Sequence, residues 1–167
     1  MNKILILLSA TLFITLSANG QNFFFIGEKS YQCTEAFTLK TNSSTSYIDD
    51  LKVLLAKDRT TGVFIVSTKT ASTVRISGKL IIYLDDGTVI SCIDRGIKDN
   101  VDDIASSAYQ LTNVELAKMK NSNINTVRYE IKCAECISVL AEGNYSASNK
   151  GNSKTDFPAI INEFYSE

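Results

Sequence analysis

The chain has 167 residues, with 17 basic and 18 acidic side chains and a net charge of −1, and it contains no histidine and no tryptophan. The missing histidine excludes Ser-His and Cys-His nucleophile pairs, imidazole general bases and imidazole metal ligands. Balanced charge without a basic run argues against nucleic acid as a partner.

Met1-Asn2-Lys3 is a short basic start, and Ile4 to Leu16 is an apolar run broken only by Ser9, Thr11 and Thr15. Ala18-Asn19-Gly20 then supplies small residues. This three-part pattern predicts a secretory signal peptide over residues 1–20, cut between Gly20 and Gln21 or, second, after Ala18. The run is shorter than the roughly 20 residues of a membrane-spanning helix, and no later run matches it. The mature chain is therefore expected to be exported, periplasmic or extracellular, without a transmembrane segment. Residues 21–167 are expected to form a single α+β domain with its own hydrophobic core.

Within that domain, Phe23 to Lys40 reads as one or two strands, followed by a polar patch at 41–47. Asp50 to Lys57 and Gly62 to Thr68 are apolar or β-branched runs joined by the turn-rich Asp58-Arg59-Thr60-Thr61-Gly62. Ile76 to Leu84 and Thr88 to Asp94 flank Asp86-Gly87, a hairpin signal because positive φ is tolerated by Asp and preferred by Gly. A two-residue loop would pair Leu84 with Val89, Tyr83 with Ile90, Ile82 with Ser91 and Ile81 with Cys92. Both faces would then be apolar, which predicts a central hairpin covered on both sides. Arg95 to Asp103 is polar, and Ala105 to Leu111 reads as a short strand. Thr112-Asn113-Val114-Glu115 has the spacing of a capping box, which predicts a helix over 112–121 with Leu111 and Leu116 as its hydrophobic staple. Ile124 to Lys132 alternates as a strand, and 143–154 reads as a loose segment. Asp156 with Pro158 predicts a C-terminal helix over 156–166. The predicted fold is α+β: mostly antiparallel β-sheet with a central hairpin, one mid-chain helix and a C-terminal helix packed on a sheet face.

The run Lys79-Leu80-Ile81-Ile82-Tyr83-Leu84-Asp85-Asp86-Gly87-Thr88-Val89-Ile90-Ser91-Cys92, with Tyr109-Gln110-Leu111-Thr112 and Asn123-Ile124-Asn125-Thr126-Val127-Arg128, resembles small exported bacterial proteins of no assigned function. The resemblance rests on a hairpin and a capped helix. It implies no catalytic residue.

Four cysteines remain after export: Cys33, Cys92, Cys133 and Cys136. An even number in an oxidising compartment permits disulfides, in any of three pairings. Cys133-Ala134-Glu135-Cys136 has redox-motif spacing, but it follows a predicted strand rather than opening a helix, and Glu135 would raise the thiol pKa. One short pair and two distant single cysteines make a weak zinc pattern. Asp94, Asp99, Asp102 and Asp103 form an acidic stretch that fits no calcium-loop template. The expected function is an exported non-enzymatic module that binds a protein or envelope component and needs no cofactor. The alternatives are a small thiol-disulfide oxidoreductase using Cys133 and Cys136, or a carboxylate-dependent hydrolase.

Overall fold

A computed structural model of the chain describes residues 22–42, 47–59, 61–133, 141–150 and 154–166. The signal-peptide reading of 1–20 and the residue Cys136 lie outside them. The strands are β1 (Asn22–Ile26), β2 (Lys29–Cys33), β3 (Phe37–Thr41), β4 (Leu51–Asp58), β5 (Thr61–Lys69), β6 (Val74–Leu84), β7 (Val89–Cys92), β8 (Lys98–Val101), β9 (Ile104–Leu111), β10 (Ile124–Cys133) and β11 (Gly143–Ser148). The helices are α1 (Asn113–Asn121) and α2 (Phe157–Phe164).

All strand pairings are antiparallel, along the path β7-β6-β10-β11-β3-β4-β5-β9-β8. The two ends of the path approach each other. Tyr109 on β9 donates its hydroxyl to the Gly78 carbonyl on β6 at 3.2 Å, and Asn100 on β8 donates to the Val74 carbonyl at 2.7 Å. The sheet thus curls round one interior, which gathers Leu55, Phe64, Ile76, Ile82, Tyr109 and Ile131 with residues of both helices.

Residues of β4 and β5 are buried on both faces, which explains the unbroken apolar run Val63 to Val66. Leu55 and Phe64 face the interior, while Leu54, Ala56, Val63 and Ile65 face a second cluster with Ile26, Tyr31 and Cys33. The β1–β2 hairpin covers that outer face. Cys33 pairs with Ala56 on β4, and at the far end the Gly27 amide donates to the Asp99 carboxylate on β8 at 2.9 Å. An antiparallel sheet needs such a cover wherever both faces are apolar.

The α+β class is overturned. Strand accounts for 59% of the structure, and the helices are minor elements of nine and eight residues. The result is a β-rich fold. The reason lies in polar strands that carry no hydrophobic alternation: β8 (Lys-Asp-Asn-Val) and β11 (Gly-Asn-Tyr-Ser-Ala-Ser) are strands because neighbours pair with them. The amino-terminal segment likewise gives three strands where one or two were expected. The helices close one end of the interior and pack on each other, with the Asn162 amide donating to the Lys120 carbonyl at 3.2 Å.

The capping box forms as read. Thr112 accepts from the Glu115 amide at 3.2 Å, and Glu115 accepts from the Thr112 amide at 2.7 Å. Asp156 caps α2 through the Ala159 amide.

The hairpin is corrected by one residue. Leu80 pairs with Cys92, Ile81 with Ser91, Ile82 with Ile90 and Tyr83 with Val89. The loop has three residues, Asp85-Asp86-Gly87. The Gly87 amide bonds the Leu84 carbonyl, and the Leu84 amide bonds the Thr88 carbonyl. Gly87 has φ +84 and closes a type I turn with a left-handed bulge residue. The slip turns Ile90 and Cys92 inward and leaves Val89 and Ile93 exposed. The hairpin is also not central, because β7 ends the strand path. Replacing Gly87 by valine should cost about 1 kcal/mol or more, since a β-branched residue resists positive φ. A Cβ at this position meets no atom within 4 Å beyond its chain neighbours, so the cost comes chiefly from backbone strain. An unchanged denaturation midpoint would place the turn elsewhere.

Candidate functional site

Two depressions adjoin the β4–β5 turn. One, of about 520 Å³, is lined by Lys29, Ser30, Tyr31, Asp58, Arg59 and Thr61. The other, of about 290 Å³, is lined by Lys57, Arg59, Thr61, Gly62, Leu116, Lys120 and Tyr165. They meet at Arg59 and Thr61. Asp58 pairs with Thr61 across the turn, and Arg59 adopts φ +56. A non-glycine residue in that region is uncommon and strained by on the order of 1 kcal/mol.

Lys29, Lys57, Arg59 and Lys120 form no ion pair among the described residues. Lys57 instead places its ammonium 4.7 Å from the centre of the Phe164 ring and 5.9 Å from that of Tyr165. The Tyr165 hydroxyl donates to the Ala56 carbonyl at 2.7 Å and is held protonated by burial. Gly62 lies directly beneath that hydroxyl, a Cβ there standing 3.4 Å from it, about van der Waals contact. Helix α2 thereby fixes the wall of the smaller depression.

Tyr31 is one of the residues beside the larger depression, is 3% exposed, and its hydroxyl is inaccessible and has no hydrogen-bond partner among the described residues. Burial first, then the negative charge of Asp58, pushes its pKa up, so it stays a donor. A buried polar group without a partner costs about 1–3 kcal/mol. Among the described residues the Asp58 carboxylate carries no hydrogen bond, while its main-chain carbonyl accepts from the Thr61 hydroxyl at 2.9 Å.

The two free cysteines among the described residues lie apart. Cys33 lies in the cluster under the β1–β2 hairpin and Cys92 in the main interior, on the other side of the sheet; both are buried free thiols. Burial raises the Cys33 pKa, and burial with the charge of Glu115 pushes Cys92 up to about 12. Such thiols are poor nucleophiles. Cys133 ends β10 and is disulfide-bonded, to a partner outside the described residues.

The acidic stretch has local structural roles. Asp94 accepts from the Gly78 and Gly96 amides and from Lys98. Asp99 accepts from the Gly27 and Asn100 amides. Asp102 and Asp103, at φ +53 and +63, are the two-residue turn between β8 and β9. Among the described residues no group of three or more Cys, Asp or Glu is placed to hold a metal ion. Asp49 and Asp50 share a third depression of about 410 Å³, where Asp50 is taken by the Lys40 ammonium at 3.1 Å and the Thr41 amide at 3.0 Å. Among the described residues no helix is long and apolar enough to cross a membrane.

The basic face is not legible in the sequence. Lys57 and Arg59 are neighbours at the end of β4 and in the turn, but Lys29 on β2 and Lys120 on α1 are far from them in the chain. The only local hint is an arginine inside a turn-rich link. No protein-family model, curated protein or solved structure matches the chain.

Proposed function

We propose that the chain is an exported, non-enzymatic binding module that holds an anionic envelope component on the basic face around the β4–β5 turn. One observation carries the reading. Four cations, none in an ion pair among the described residues, gather there beside a single carboxylate, Asp58, although acids outnumber bases in the whole chain. Unpaired cations around a concave surface raise the local concentration of anions and speed their encounter. The thiol-disulfide alternative has less support. Among the described residues the two free thiols, Cys33 and Cys92, are buried with raised pKa values, and Cys133 is disulfide-bonded at the end of β10.

Retention on heparin–agarose, used as a polyanion probe, tests the reading. The purified chain should be retained and released by salt, and the Lys57→Glu, Arg59→Glu variant should flow through. Equal retention of variant and parent, or no retention of the parent, would refute it.

A further inference from the structure

We propose that β1 is the strand through which two copies of the chain associate, its free edge pairing antiparallel with the same edge of a second copy about a two-fold axis at Phe24. The inference does not rest on the basic face.

β1 pairs with β2 alone. The two-residue loop Gly27-Glu28, with Gly27 at φ +57, closes on the pair Ile26↔Lys29. In such a hairpin the closing pair is hydrogen-bonded, the next is not, and the alternation continues along the ladder. Asn22, Phe24 and Ile26 therefore direct their main-chain groups to β2, while those of Phe23 and Phe25 point away from it. Among the described residues the main-chain groups of Phe23 and Phe25 meet no other partner. A row of unpaired donors and acceptors is a template for another strand, and edges are ordinarily guarded by charge, proline or a bulge. β8, at one end of the strand path, has Lys98 and Asp99. Asn-Phe-Phe-Phe-Ile in β1 has no charge and no proline, and its register has no shift. The same strand turns Phe23 and Phe25 outward on one face, at 55% and 70% exposure.

The strand is its own complement. An antiparallel partner centred on Phe24 sets Phe23 opposite Phe25 of the second copy, and Phe25 opposite its Phe23, both as hydrogen-bonded pairs. These are the residues whose main-chain groups point outward, so four hydrogen bonds form and use every one of those groups. Paired residues share a face, so the four exposed rings meet on it. No charge meets a like charge, because the paired stretch carries none. A strand of another sequence would gain the hydrogen bonds without this match of ring against ring. Covering four rings exposed to this extent removes about 500 Å² from water. That is short of the roughly 1,200 Å² of a stable interface, so the area fits a weak dimer that forms with concentration.

Sedimentation of the purified chain over a concentration series should show monomer passing to dimer and nothing larger. Hydrogen exchange should show the Phe23 and Phe25 amides gaining protection as concentration rises, while that of Phe24, already bonded to β2, does not change. Phe25→Lys should weaken the dimer at least tenfold and leave the melting temperature of the dilute protein unchanged, since the ring it removes is exposed. Phe23→Glu should do the same. An equimolar mixture of the two variants should dimerise again, because the register sets their new charges, of opposite sign, against each other. A chain that stays monomeric at about 1 mM overturns the proposal. So does a dimer that Phe25→Lys leaves intact. Growth into larger oligomers overturns it as well, because the edge would then meet a different edge, such as β7, and not its own copy. Binding to phosphatidylcholine vesicles by a chain that does not dimerise, lost in Phe25→Lys, would overturn it in favour of a membrane contact.

Discussion

Replacing Phe157 by alanine should destabilise the protein by about 3–5 kcal/mol, the usual cost of removing a buried aromatic ring. Phe157 is fully buried at the start of α2 and stands edge-on to Phe37 of β3, with ring centres 5.7 Å apart. The surroundings cannot close over the space it leaves. Its own amide donates to the Asn123 side chain, which also donates to the Thr155 carbonyl. Buried Asn149 holds Thr155 from the other side, accepting from its amide and donating to its carbonyl. The entry to α2 is therefore fixed, and the cavity persists instead of collapsing. Denaturant unfolding should show a lower midpoint with an unchanged slope. A loss below about 1 kcal/mol would mean that α2 only decorates the sheet.

That helix was legible because its signals are local. Asp156, Pro158 and the spacing of Ile160, Ile161 and Phe164 all fall within nine residues. The same holds for the capping box at Thr112 and Glu115. Strand register is not local in this sense. Asp-Gly fits both a two-residue loop with two left-handed positions and a three-residue loop that ends in one. Only Ser91 could have separated them. It is the one polar residue inside β7, and the observed register sends it outward with Val89 while Ile90 and Cys92 enter the interior. β8 and β11 were illegible for a different reason. Their side chains are polar or small, and the pairing that makes them strands comes from β9, β10 and β3. Missing them gave the helices too much weight and produced the wrong fold class. The site was illegible for the same kind of reason, since folding alone brings Lys29 and Lys120 to Lys57 and Arg59.

The Asp94→Ala variant should lose about 3 kcal/mol at pH 7, and the loss should shrink in acid. Asp94 supports an irregularity in β6. Between the pairs Arg128↔Ile81 and Glu130↔Ser77 the register shifts, and Gly78 takes up the bend at φ +74. A bulge frees backbone groups that need other partners. The Gly78 amide finds Asp94 at 3.0 Å, and its carbonyl finds the Tyr109 hydroxyl. Asp94 also accepts from the Gly96 amide at 2.7 Å and pairs with Lys98 at 3.0 Å, and Lys98 reaches Ser77. Alanine would leave the Gly78 amide without its acceptor and Lys98 without its counter-charge. Burial on its own would push the Asp94 pKa up, but the hydrogen bonds from Gly96, Lys98 and Gly78 outweigh it and hold the carboxyl below its ordinary range. A carboxyl whose folded pKa lies below its unfolded value stabilises the fold fully above the unfolded value, about 3.9. That contribution is lost as pH falls through the folded value. Other carboxyls titrate alike in parent and variant and cancel in the difference. The gap between the two proteins should therefore be constant from about pH 7 to 5 and narrow below about pH 4. A gap that keeps its full size at about pH 2 would show that packing, rather than the charged hydrogen bonds, is what the bulge needs from Asp94.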